Sequence, residues 1–285
     1  MRIIIASLLC LVVAGVVLAL TAGGETTPGA SAETVAAGFY PLAYAAEEIG
    51  GRAVEVENLT PPGAEPHDLE PTPKDVQDLQ SADLVLLLGH GFQPSLERAA
   101  ENAGGRVVKL LDTPSLDLRP GDPHVWLDPV RFKAVVEAIA RDMDEQAAGR
   151  RLVGRLEALD REFRTGLAHC RQRDLVTSHE AFGYLADRYG LTQVPISGIS
   201  PEAEPKPRDL QDVVDLVRET NATTVFTEPL VSPMLAQTVA SETGASTAVL
   251  DPLEGLTPEE EAKGDNYFSV MHRNLAALEK GLGCR

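Results

Sequence analysis

The sequence predicts an α/β protein of two lobes, each built on a mostly parallel sheet. Three observations lead there. Short β-rich runs alternate with longer helical ones over residues 33–110, and the same rhythm returns over 174–282. The runs themselves are of the kind buried on both faces, as in Leu84-Val85-Leu86-Leu87. Between the two series lies a helix-rich stretch, so the chain divides into lobes at 33–144 and 170–285 with a linker helix at 145–169. A length of 285 residues suits two such lobes, each with its own core.

In the first lobe, strands are expected at 33–39, 54–59, 82–88 and 106–110. Residues 54–59 alternate with period two. A helix at 41–49 stops at Gly50-Gly51. Another opens at Thr72-Pro73, a capping residue followed by proline at the first helical position, and a third covers 95–102. The middle carries helices at 129–143 and 150–167. In the second of these, Leu152, Leu156, Leu159 and Phe163 recur at helical spacing. The second lobe gives strands at 174–178, 191–196, 223–227 and 246–250. Its helices are expected at 180–189, 208–219, 232–243 and 267–282.

Residues 1–32 differ from the rest. Met1-Arg2 precedes an uncharged apolar run at 3–20, followed by a Gly/Thr/Ser/Pro/Ala tether. This reads as a secretory signal peptide or an N-terminal anchor, with a small-x-small cleavage site at Ala30-Ser31-Ala32. The body is therefore expected outside the cytoplasm, periplasmic or at the cell surface. Export permits disulfides. With Cys10 inside the apolar run, Cys170 and Cys284 remain as a bridge or as two free thiols. The formal net charge of -18 disfavours nucleic acid and anionic membranes as partners and enriches cations near the surface.

Ligands of parallel α/β lobes gather at the carboxyl ends of the strands. Of the six histidines, His67, His124 and His179 each stand at a strand-to-helix or loop-to-helix turn. Asp251 directly follows the last strand and joins them as a candidate fourth donor. Three imidazoles and a carboxylate form a sensible tetrahedral donor set for Zn2+. A zinc hydrolase with three histidines and an open water position is the alternative chemistry. His90, His169 and His272 are read as non-ligands, and Trp126 as packing beside His124. Binding needs deprotonated imidazoles, so affinity is expected to fall as pH drops through about 6.5.

Several segments carry a family resemblance. They are Gly38-Phe39-Tyr40-Pro41-Leu42, Pro62-Gly63-Ala64-Glu65-Pro66-His67-Asp68-Leu69-Glu70-Pro71-Thr72 and Ala82-Asp83-Leu84. Further along come Asp122-Pro123-His124-Val125-Trp126-Leu127-Asp128-Pro129, Thr177-Ser178-His179-Glu180-Ala181-Phe182-Gly183-Tyr184 and Leu250-Asp251-Pro252-Leu253. In this order they resemble the metal-binding solute receptors of ABC importers, the family of high-affinity zinc and manganese uptake receptors. The resemblance implies two α/β lobes bridged by a long rigid helix, with the metal in the cleft between them. It implies His67, His124 and His179 as ligands, and Asp251 at or beside the metal. It also implies an ABC importer permease as partner, a monomeric receptor and no enzymatic turnover. Histidine at 179 resembles the zinc-type branch; manganese-type receptors tend to have a carboxylate there, so Mn2+ or iron is the lesser expectation. Glu65, Asp68 and Glu228 are candidates to orient the donors by hydrogen bonding or to meet a docking partner.

Overall fold

A computed structural model describes residues 32–201 and 206–285. The apolar run, Cys10 and most of the cleavage and tether segment fall outside the described residues. Glu33–Arg285 forms one compact unit. It holds two four-stranded sheets, both wholly parallel and both ordered alike. The first is β2-β1-β3-β4, from β1 (Glu33–Ala37), β2 (Val54–Asn58), β3 (Leu84–Leu87) and β4 (Arg106–Lys109). The second is β6-β5-β7-β8, from β5 (Asp174–Thr177), β6 (Thr192–Pro195), β7 (Thr224–Thr227) and β8 (Ser246–Val249). In each sheet the chain reverses its winding beside the first strand, so each has a switch-point crevice at its carboxyl edge.

The sheets are parallel because every strand is followed by helical or loop crossover chain. Helices α1 (Tyr40–Gly50), α2 (Pro73–Ser81) and α3 (Pro94–Ala99) serve the first lobe. Thr72 caps α2 reciprocally with Asp75, as its Thr-Pro start predicts. Helices α4 (Pro129–Asp142) and α5 (Gln146–Gly166) lie between the sheets in the chain. In the second lobe follow α6 (Gly183–Tyr189), α7 (Pro207–Thr220), α8 (Met234–Thr243), α9 (Pro258–Lys263) and α10 (Tyr267–Leu282). Two elements depart from expectation. Helix α6 starts at Gly183 rather than 180, because the backbone at 178–180 bonds to the neighbouring strand exit instead: Glu180 N–H donates to Gly198 O and Ser197 N–H to Ser178 O. Helix α9 was not expected, although Thr257 and Glu260 form a capping box around Pro258.

Alternation along the strands divides the core. Ala36, Val85 and Leu87 face an outer layer with Leu59, Leu79 and Leu96, and Val176 and Val225 face another with Val214, Val217 and Val239. The opposite faces meet one large apolar cluster. It takes Val35, Leu84 and Leu86 from the first sheet and Leu175 and Phe226 from the second, with residues of α1, α4, α5, α6 and α10. Leu152, Leu156, Leu159 and Phe163 are the stripe that α5 contributes, each buried and each adding about 1.5–3 kcal/mol. A partly buried ionic network ties the same helices together. Arg188 on α6 reaches Asp160 on α5 at 2.6 Å and Asp128 at the start of α4 at 3.1 Å.

The C-terminus is fastened to the end of the helix-rich middle. A disulfide joins Cys170 and Cys284 beside an antiparallel bridge, of the two possibilities left open by the cysteine count. No helix among the described residues is long and apolar enough to cross a membrane.

Candidate metal centre

Four loops leaving strand carboxyl ends converge. The loop after β2 brings His67, the long connection after β4 brings His124, the turn after β5 brings His179, and the segment after β8 brings Glu254. The donor atoms of these four residues all lie within 4.8 Å of one another. Exposure is 8% for His67, 0% for His124 and His179, and 1% for Glu254. A cavity of about 310 Å3 lined by His67, Phe92, Arg119 and Asp122 adjoins the cluster, and His67 is the donor nearest to solvent.

Glu254 takes the place expected of Asp251. Oδ1 of Asp251 accepts the backbone N–H of Leu253 at 2.7 Å, and Oδ2 is buried without a partner. Leu253 adopts φ 55°, a left-handed conformation uncommon for a branched side chain. That turn carries the chain so that Glu254, not Asp251, presents its carboxylate to the imidazoles. Asp251 is instead a support of the loop, held at its backbone by Asn274, whose Oδ1 accepts from Asp251 N and whose Nδ2 donates to Asp251 O. Burial pushes its carboxyl up to about 7, against the hydrogen bond from Leu253.

Oε1 of Glu254 stands 3.2 Å from Nε2 of each of His67, His124 and His179. Donors tetrahedrally disposed about 2.0 Å from a common ion are about 3.3 Å apart, so the spacing suits a zinc-sized centre. Hydrogen bonding accounts for part of the arrangement: Nε2 of His67 and of His179 each pair with Oε1 of Glu254, while Nε2 of His124, at the same distance, is buried outside hydrogen-bond geometry.

The far sides of two rings are held by carboxylates. Nδ1 of His124 pairs with Oδ1 of Asp122 at 2.8 Å, and that oxygen also accepts the His124 N–H. Nδ1 of His179 pairs with Oε2 of Glu228 at 2.6 Å, and the other Glu228 oxygen accepts the His179 N–H. A proton kept on Nδ1 leaves Nε2 as the free donor. Glu228 was among the residues singled out from sequence; Asp122 was not, although an acid two residues before His124 could have signalled it. Glu65 accepts the His67 N–H at 3.0 Å and leaves its other oxygen buried and unpaired. Asp68 is exposed, and among the described residues its carboxylate bonds to none of the four donors. His90 pairs with Asp112 at the surface and His272 with Glu162; both are half-exposed and outside the cluster, as is exposed His169.

The charges respond to this crowding. Burial alone would lower the His179 pKa, but the Glu254 and Glu228 carboxylates outweigh it and push it up to about 10. Burial likewise opposes the charged form of His124, and the adjacent Asp122 and Glu254 carboxylates raise it. For Glu254, burial would raise the carboxyl, yet the His179 charge and the three imidazoles against its Oε1 hold it well below the usual range. Burial and the nearby Glu254 charge push Glu65 up to about 8. The surrounding carboxylates thus favour the protonated forms of His179 and His124, so a cation at these nitrogens competes with protons.

The donors come from both lobes, and cross-lobe bonds keep them together. The Tyr184 hydroxyl on α6 donates to Asp122 O at 2.9 Å and accepts the Arg119 N–H at 2.8 Å. Gly183 permits this approach, since a Cβ there would lie 2.7 Å from Oδ2 of Asp122. Arg119 also pairs with Asp187 of the same helix.

Two parallel α/β lobes with a buried donor set between them define a solute receptor that takes a metal cation. The chain belongs to the ZnuA family: residues 35–281 match the model described as zinc-uptake complex component A, periplasmic. It is 33% identical over 306 residues to the high-affinity zinc uptake system protein ZnuA of Bacillus subtilis, covering 95% of this chain and 96% of that one. It is 34% identical over 271 residues to the zinc-binding lipoprotein AdcA of Streptococcus pneumoniae, covering 85% of this chain and 54% of AdcA, so it spans about half of that relative. Among solved structures, the laminin-binding protein Lmb of Streptococcus agalactiae superposes with a TM-score of 0.80 at 30% identity, over 88% of this chain and 99% of Lmb. The Zn(II)-bound ZnuA-like domain of Streptococcus pneumoniae AdcA gives 0.75 at 35% identity, over 89% and 99%.

Proposed function

We propose that this protein captures Zn2+ outside the cytoplasm, with His67, His124, His179 and Glu254 as ligands, and delivers it to the permease of an ABC importer. The observation that carries the reading is the single carboxylate oxygen 3.2 Å from three Nε2 atoms, all buried. Three imidazoles with one carboxylate favour Zn2+ over the harder Mn2+, which prefers more oxygen. The hydrolase alternative needs an open fourth position for water, and Glu254 stands at that corner. The protein therefore acts by stoichiometric binding without turnover, as an exported monomer, released or anchored through its N-terminal segment.

Metal analysis and zinc titration of the purified protein test this. One tightly held zinc per chain is expected, with His179→Ala abolishing tight binding. Zinc-dependent turnover of model esters or phosphates, or stoichiometric binding untouched by His179→Ala, would refute the proposal.

A further inference from the structure

Trp126 is the only tryptophan of the chain. It sits in the short 3-10 turn Val125–Leu127, two residues after His124, and is 1% exposed. Its indole N–H donates to Pro252 O at 2.7 Å. Pro252 belongs to the other lobe and lies two residues before Glu254. The Trp126 carbonyl accepts the Tyr267 hydroxyl at 2.6 Å, a second bond from that lobe. The indole lies 5.1 Å from the His124 ring and 5.5 Å from Phe92, and the Phe92 ring lies 4.6 Å from His67. One side chain thus touches the supports of three of the four donors.

Packing alone does not require an indole. A phenyl ring would fill much of the same apolar space beside Phe39 and Phe92, whereas a buried indole N–H must find an acceptor. Here the acceptor is the backbone of the turn that aims Glu254. That turn is already held against a left-handed Leu253 by the Asp251 carboxylate. Pro252 O is the point at which the second lobe's turn is fixed to the first lobe's His124 segment.

We infer that Trp126 is a positioning residue that sets the distance between Glu254 and the His67–His124 pair, and thereby the preference for zinc. A fixed tetrahedral spread of four donors suits Zn2+. Cations such as Mn2+ seek more donors, mostly oxygen, and gain when the set can spread and admit water. Freeing the 251–254 turn weakens the first kind of binding more than the second.

The test rests on the zinc-receptor reading above. Zinc and manganese affinities are measured by chelator competition for the wild type and Trp126→Phe, with the visible spectrum of the Co2+ form of each. The variant is expected to bind zinc about 10- to 100-fold more weakly, the usual cost of removing a group that orients metal ligands. Manganese affinity should change by less than about threefold, and the intense tetrahedral Co2+ bands should weaken. A merely structural role would lower both affinities together and leave the Co2+ spectrum of the bound fraction unchanged; either result overturns the inference. Should Trp126→Phe fail to fold, Tyr267→Phe removes the other cross-lobe bond to the same residue and should narrow the zinc-to-manganese ratio, an unchanged ratio again counting against the role. A wild-type protein that takes up no zinc refutes the receptor reading itself, whereas tight wild-type binding with an unaltered ratio in the variant refutes only the positioning role.

Discussion

Replacing Glu254 by alanine separates the two acidic candidates. The carboxylate is 1% exposed, and one oxygen stands 3.2 Å from three imidazole nitrogens. Two unit charges 4 Å apart attract by about 4 kcal/mol at an effective dielectric near 20, so a dication beside a carboxylate gains about 8 kcal/mol. Much of this is offset. The carboxylate was desolvated on folding at a cost of several kcal/mol, and in the metal-free protein it already pairs with His179. A net loss of about 3 kcal/mol remains, which weakens zinc binding by about a hundredfold. Asp251→Asn serves as the comparison. Its remaining Oδ1 can still accept the Leu253 N–H, so zinc affinity should stay within about threefold of wild type. Competition with a chromophoric chelator reads both variants at one pH. A larger loss for Asp251→Asn than for Glu254→Ala would refute the assignment of the fourth donor.

Three further outcomes follow from the same geometry. Glu228→Gln keeps the shape behind His179 but removes its charge, and should weaken zinc binding at least about tenfold with little change in the fold, checked by titration and circular dichroism. The raised His179 pKa, about 10, moves the pH window upward from the imidazole range expected from sequence. Zinc affinity should rise by about tenfold per pH unit between pH 7 and 8.5 for the displaced proton, while the metal-free protein loses His179's share of stability as pH climbs from about 6.5 through 10; calorimetry in buffers of different ionisation enthalpy reads the proton release, and its absence contradicts the scheme. Removing the disulfide with Cys170→Ala and Cys284→Ala should cost about 5 kcal/mol, because the bridge closes a loop of 114 residues, and denaturant unfolding of the two forms measures it.

Much of this architecture is written locally. The uninterrupted Leu84-Val85-Leu86-Leu87 run reads as a strand buried on both faces, and it is one. The Leu152-Leu156-Leu159-Phe163 stripe gives α5 and its buried side. The convergence of the three histidines was legible because the turns after parallel strands are where such folds gather ligands. The fourth member of the cluster was not. Asp251 holds the position that the same rule favours, and only the positive φ of Leu253, which no propensity announces, brings Glu254 beside the histidines instead. The early part of α6 failed for a similar reason: residues that would suit a helix are committed to bonds that hold the His179 turn. Helix α9 had a readable capping box in Thr257-Pro258-Glu259-Glu260 and shows that a short helix without an apolar stripe escapes a reading based on periodicity.

The apolar cluster that runs through both sheets has a practical consequence for anyone converting this protein into a zinc indicator. Fluorophores fused to separate lobes report by distance, and lobes that share one interior can part only by exposing it to water. Such a pair would register little on loading. The better transducer is already inside: a lone indole 5.1 Å from the His124 ring, excitable apart from every other residue, whose emission should answer directly to what occupies the neighbouring imidazoles.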